Sequence, residues 1–136
     1  MKAFTSLEQS KKLAKILPLD SADMGYIPSA EDDDGNTLYT AEFKSEIIFD
    51  EDCIPCWSLS ALLDVIPKKV EIKGQGYAPC LFPLSNGYWI YKLWYNSNEI
   101  IHSPCGVYCD NLIDACYEMI FQLKLYKPNI KWQGKK

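Results

Sequence analysis

Cysteine is the residue type with the widest chemical range in this 136-residue chain, and two of its six cysteines form the stretch Cys53-Ile54-Pro55-Cys56. The pair follows the apolar run EIIFD (46–50) and precedes a helical pattern. That is the local grammar of a thioredoxin-type site, in which a helix N-terminus stabilises the attacking thiolate. Asp50, Glu51 and Asp52 oppose such chemistry, because adjacent negative charge raises a thiol's pKa. A thioredoxin-like fold also needs a parallel crossover, whereas the residues downstream read as antiparallel hairpins. A second chemistry is tetrahedral zinc: Cys53 and Cys56 form a C-x2-C pair, Cys105 and Cys109 a C-x3-C pair, and Cys80 and His102 are substitutes. The nearly fifty residues between the pairs match no familiar finger. The third reading, and the leading one, is that these thiols pack as small hydrophobes, as Cys116 does on an apolar helical stripe.

Other constellations are weaker. In DDDGN (32–36), aligning Gly35 with the glycine of an EF-hand loop puts Ala30 and Ala41 at ligand positions, so the stretch reads as a solvated acidic turn. Asp114 and Glu118 stand four apart on a helix and could act as paired carboxylates, but Asp114 suits the helix N-terminus. His102 is the one histidine, with no nucleophile motif beside it, and KGQG (73–76) lacks the spacing of a phosphate loop. No catalytic residue is expected. The run YWIYKLWYN (88–96) is different, because strand alternation gives it two apolar faces. Tyr88, Ile90, Lys92 and Trp94 share one of them and are the expected protein-interface residues, for a protein partner or a second copy.

The elements that must position these residues follow from caps and periodicity. A first helix is expected over Ser6–Leu17, with Thr5 or Ser6 as cap, Glu8 or Gln9 three residues on, and Pro18 beyond. After a weakly patterned stretch, the turn EDDDGN leads into the strand-like TLYTAEFK, giving a hairpin around Gly35. Leu59, Leu62, Leu63 and Ile66 mark a second helix capped by Ser58 and stopped by Pro67. CLFPL, YWIYKLWYN and EIIHS, separated by the turns SNG and NSN, predict a three-stranded meander, with Asn86-Gly87 as a two-residue hairpin turn. A last helix spans Asn111–Tyr126, with Leu112, Cys116, Met119, Ile120 and Leu123 inward. The expected architecture is α+β: a two-layer domain whose mostly antiparallel sheet, a hairpin plus a three-stranded meander, carries about three helices on one face. Residues 1–128 form that domain and 129–136 a flexible tail.

Hydrophobic residues at 48% and charged residues at 24% are those of a globular domain, and the net charge of −4 would repel a polyphosphate. Nucleic acid is therefore not an expected partner, on charge alone. No apolar run reaches the roughly 18 residues of a membrane span, and the N-terminus has no signal-peptide pattern, so the expected location is cytoplasmic. The stretches PCWSLSALLDVIP and DNLIDACYEMI, with the opening FTSLEQSKKLAKILP, resemble a group of small uncharacterised proteins of anaerobic gut bacteria and their prophages or mobile elements. Where that group has proline after the asparagine, this chain has Leu112. The resemblance implies a bacterial or phage accessory protein and carries no catalytic residue across. Together these readings make a non-catalytic protein-binding or adaptor module without cofactor the leading expectation, and a zinc protein or a thiol-redox protein the alternatives.

Overall fold

Local caps start each of the three α-helices among the described residues. In the computed structural model, which describes residues 3–94 and 106–133, Ser6 and Gln9 form a reciprocal capping box at 3.1 and 3.0 Å and open α1 (Leu7–Leu13). The Ser58 hydroxyl accepts the Ala61 N–H at 3.2 Å and opens α2 (Leu59–Val65). The Asn111 side chain accepts the Asp114 N–H at 2.8 Å and opens α3 (Leu112–Tyr126). Each contact satisfies an amide that the helix itself leaves without a partner. The first helix ends four residues before its expected stop. The chain beyond it continues in turns and still buries Leu17.

Among the described residues, seven strands, all antiparallel, fall into two sheets. β1 (Met24–Glu31), β2 (Thr37–Phe43) and β3 (Ile54–Cys56) are ordered β2-β1-β3. β4 (Val70–Ile72), β5 (Gln75–Pro83), β6 (Trp89–Trp94) and β7 (Gly106–Cys109) are ordered β4-β5-β6-β7. The class is thus α+β, with the hairpin (β1–β2) and the three-stranded meander (β5–β6–β7) present. The third meander strand is Gly106–Cys109; the expected strand EIIHS (99–103) and the turn NSN before it lie outside the described residues.

Several expectations are corrected. The weakly patterned stretch after Leu19 contains β1, whose register shifts between Pro28 and Ala30 where proline interrupts the ladder. EIIFD is not a strand. Ile47 and Phe49 instead lie over the bare backbone of Gly25, where an added Cβ would sit 2.8 Å from the Phe49 ring. Asn86-Gly87 is not a two-residue turn: only Gly87 takes positive φ (87°), and the Leu84 N–H bonds the Tyr88 carbonyl across three residues. The two-residue turn with both residues left-handed is Lys73-Gly74 (φ 52° and 81°), which joins β4 to β5. On α2, Leu63 is 41% exposed, while Ala61, Leu62 and Val65 are buried, so the apolar face is rotated from the expected one.

The main core gathers Leu13, Trp57, Leu62, Val65, Val70, Ile113, Met119, Ile120 and Leu123, all at most 2% exposed. A smaller cluster of Met24, Tyr26 and Cys56 lies under the first sheet. Gln9 on α1 donates to Asp114 on α3 at 2.7 Å, joining the starts of the two helices. The segment after α3 is laid back on the core: Ile130 is buried, Trp132 packs against the main cluster, and the Gln133 N–H bonds the Val65 carbonyl at 2.9 Å. Through residue 133, then, the expected tail is anchored. Among the described residues, no helix is long and apolar enough to cross a membrane.

Candidate functional site

Cys53 and Cys56, though only three residues apart, occupy unlike places. Cys53 lies half-buried in the turn before β3, with its sulfur 3.6 Å from Asp50 Oδ1 and 3.7 Å from the Ile48 carbonyl. Cys56 is fully buried on β3, 3.6 Å from both the hydroxyl and the carbonyl oxygen of Thr5. Burial pushes its thiol pKa up, against the effect of the Thr5 hydrogen bond. Nucleophilic chemistry needs the reverse shift and an open path. Cys109 ends β7 in the other sheet, and Cys105 lies outside the described residues. Among the described residues, no three His, Cys, Asp or Glu side chains gather as a metal cage. Cys116 is buried on α3 as its stripe implied, its pKa pushed up to about 12 by burial.

Cys56 belongs to a buried polar joint that local sequence does not announce. Thr5 Oγ1 accepts the Trp57 N–H at 3.1 Å and lies 2.8 Å from Ser10 Oγ. The Thr5 N–H donates to the Trp57 carbonyl at 2.9 Å, and Tyr26 OH donates to the Thr5 carbonyl at 2.7 Å. Burial, followed by the nearby Cys56, drives the Tyr26 phenol up to about 12. The Trp57 indole donates to Ser21 Oγ at 2.9 Å, and Asp23 accepts both the backbone N–H and the hydroxyl of Ser58. This joint ties the N-terminal segment, β1, β3 and α2 together around fully buried groups, so its work is structural.

A thiol-labelling experiment separates the two cysteines. In native protein at pH 8, iodoacetamide is expected to modify Cys53 readily and Cys56 and Cys116 at least ~100-fold more slowly, because the buried pair reacts only through opening of the structure. Peptide mass spectrometry reads the sites. Labelling of Cys56 at the rate of Cys53 would restore the redox reading.

The surface offers two features. On the meander, Tyr88 is 39% exposed beside its turn, while Ile90, Lys92 and Trp94 are β6 positions paired with Phe82, Cys80 and Ala78. The side chains of residues 90, 92 and 94 lie outside the described residues. The more exposed feature is the β1–β2 ribbon. β3 pairs only with Met24–Tyr26, so from Ile27 onward β1 and β2 run as a two-stranded arm, and among the described residues no strand covers the outer edge of β2. Leu38 and Phe43 on that edge strand are 47% and 50% exposed. The arm's tip is organised by Asp32, whose carboxylate accepts the Asp34 and Asn36 amides at 2.9 and 2.8 Å. The Asn36 amide, the largest influence, lowers its pKa.

Charge follows the same division. Nine of the chain's 18 acidic residues lie between Glu31 and Asp52, opposed there by Lys44 alone. The rest of the chain carries the other nine acids and 13 lysines. Five of the nine, Glu31, Asp32, Asp33, Asp34 and Glu42, stand on the β1–β2 hairpin, and the other four follow it before β3, so an overall −4 hides an acidic stretch whose signal is present in the sequence but averaged away by net charge.

Fold and surface define a small α+β domain of two antiparallel sheets with a projecting acidic hairpin. No protein-family model, curated protein or solved structure matches the chain.

Proposed function

We propose that this chain is a non-catalytic protein-binding module, working inside the cell in a bacterial or phage accessory system, and that it docks an extended basic segment on the free edge of β2. The supporting observation is that edge: seven residues of strand whose outer backbone groups are open to strand addition among the described residues. Charge selects the partner. Two copies paired through β2 would bring two acidic hairpins together, whereas a lysine- or arginine-rich strand meets the hairpin's Glu31, Asp32, Asp33, Asp34 and Glu42 with opposite sign. The exposed Leu38 and Phe43 supply apolar contact along the same strand. Tyr88 and the Ile90, Lys92 and Trp94 positions form a separate candidate contact on the other sheet.

The test is a synthetic peptide alternating lysine and valine, titrated against the full chain and read by fluorescence anisotropy. Micromolar binding is expected, weakened at least ~10-fold by Thr40→Lys or Leu38→Lys, which place positive charge on the edge, and weakened by added salt. Both positions are exposed, and circular dichroism checks that the variants fold. No binding, or binding that ignores both lysines, would count against the β2 edge.

A further inference from the structure

A strand presents its backbone groups alternately to its two edges, so the bonds that join β1 to β2 also fix which groups of β2 face outward. Two bonds at the ends of the hairpin set the phase. The Lys44 N–H donates to the Asp23 carbonyl at 3.0 Å, one pair beyond Met24↔Phe43. At the other end the Asp32 N–H donates to the Asn36 carbonyl at 2.9 Å, one pair beyond Glu31↔Thr37. Every second residue between them, namely Leu38, Thr40 and Glu42, therefore faces β1, and the bond from the Ser29 hydroxyl to the Leu38 carbonyl at 3.3 Å agrees. The N–H and C=O groups of Thr37, Tyr39, Ala41 and Phe43 point to the outer edge, with no proline among them and no strand over them among the described residues.

The other edge of the hairpin is guarded. By the same alternation Met24, Tyr26 and Pro28 point away from β2; β3 pairs with the first two, and Pro28 has no N–H to offer. The register shift between Pro28 and Ala30 follows at once and breaks the repeat that a docking strand needs. Alternation also divides the side chains of β2. Tyr39 and Ala41 pack against the cluster of Met24, Tyr26 and Cys56, so Phe43 shares their inner face, while Leu38, Thr40 and Glu42 share the outer one.

We propose that the docked segment joins β2 as an antiparallel strand whose apolar residues stand opposite Tyr39, Ala41 and Phe43 and exchange backbone bonds with them, while its basic residues stand opposite Leu38, Thr40 and Glu42. The assignment rests on the β2 edge being the docking site, and it names the partner's pattern: apolar and basic residues in strict alternation, with only the apolar set bonded through its amides. Residues directly opposite in an antiparallel pair share a face. The apolar set thus lies beside Phe43, which is 50% exposed, and the basic set beside the Glu42 carboxylate. Antiparallel addition is favoured over parallel because its bonds run straight across between the strands.

The experiment uses the alternating lysine–valine peptide unmodified, N-methylated at its central valines, and N-methylated at the same number of central lysines, each titrated against the full chain by fluorescence anisotropy. Methylated valines lose amides that point at β2, and binding is expected to weaken at least ~10-fold; methylated lysines lose amides that point to solvent, and binding should change less than about 3-fold. Amide hydrogen exchange of the unaltered protein is the second readout. The Tyr39, Ala41 and Phe43 amides are expected to exchange fast in the free chain and at least ~10-fold more slowly with saturating unmodified peptide, whereas Thr40 and Glu42, already bonded to β1, change less. If those three amides slow but the lysine-methylated peptide is the weaker binder, or the two methylated peptides bind alike, the β2 edge stands as the docking site and this register falls. If the unmodified peptide does not bind, or binds without slowing them, both fall.

Discussion

Trp57→Ala is expected to cost ~3–5 kcal/mol of folding stability, the largest loss expected from a single substitution in this chain, and to move the urea midpoint accordingly. Trp57 is fully buried and the largest side chain in the core. It also stands between β3 and the Ser58 cap of α2. Its indole ring packs in the main cluster, its Nε1–H donates to Ser21 Oγ at 2.9 Å, and its backbone exchanges hydrogen bonds with Thr5. Truncation leaves a cavity and strands the Ser21 hydroxyl without its donor. Trp57→Phe, which refills most of the volume but cannot donate, should cost less, on the order of 1–3 kcal/mol. A small domain has only about 5–15 kcal/mol in total, so the alanine variant should stand near its unfolding threshold at 37 °C. An unchanged urea midpoint for Trp57→Ala would show that the ring is not a core residue in solution.

Thr5→Val ranks second, at ~1–3 kcal/mol, even though the two side chains have nearly the same shape. The threonine hydroxyl is fully buried, accepts the Trp57 N–H at 3.1 Å, and lies 2.8 Å from Ser10 Oγ and 3.6 Å from Cys56 Sγ. Valine leaves a buried amide without its acceptor, which is the expensive half of losing a hydrogen bond. Thr5→Ser keeps the oxygen and should stay within about 1 kcal/mol of the unaltered protein. In a double-mutant cycle, adding Ser10→Ala to Thr5→Val should cost less than the sum of the single changes, because both partners of one contact are then gone. Strict additivity, or a harmless valine, would dissolve the idea of a connected buried joint.

Neither residue advertises this role along the chain. Thr5 reads as an alternative helix cap, a position that Ser6 fills, and nothing near Trp57 in sequence names Thr5 or Ser21 as its partners. The signals legible in sequence are those acting within four or five residues. Ser6 with Gln9, Ser58 with Ala61 and Asn111 with Asp114 are bonds between near neighbours, so composition and spacing reveal them directly. Alternation likewise places β2 and the hairpin tip near Gly35.

What is not legible depends on residues far apart in the chain. β1 has little alternation of its own and becomes a strand through β2 and β3, while EIIFD has a strand's composition but uses it to cover Gly25. Leu63 fits an ideal stripe and is exposed, because α2 is only seven residues long and its orientation is set by the cap and by Val65 and Ile66 at its end.

Sequence by itself thus determined the α+β class, the three caps, the positions of the helices to within a turn or so, and the uneven placement of charge, since each is a property of neighbouring residues. Tertiary structure alone decided that Cys56 is sealed beside Thr5 while Cys53 stays at the rim, that β2 is an edge among the described residues, and that the segment after α3 lies back on the core. Burial and edge status are relations between segments tens of residues apart, and packing, not spacing, brings those segments together.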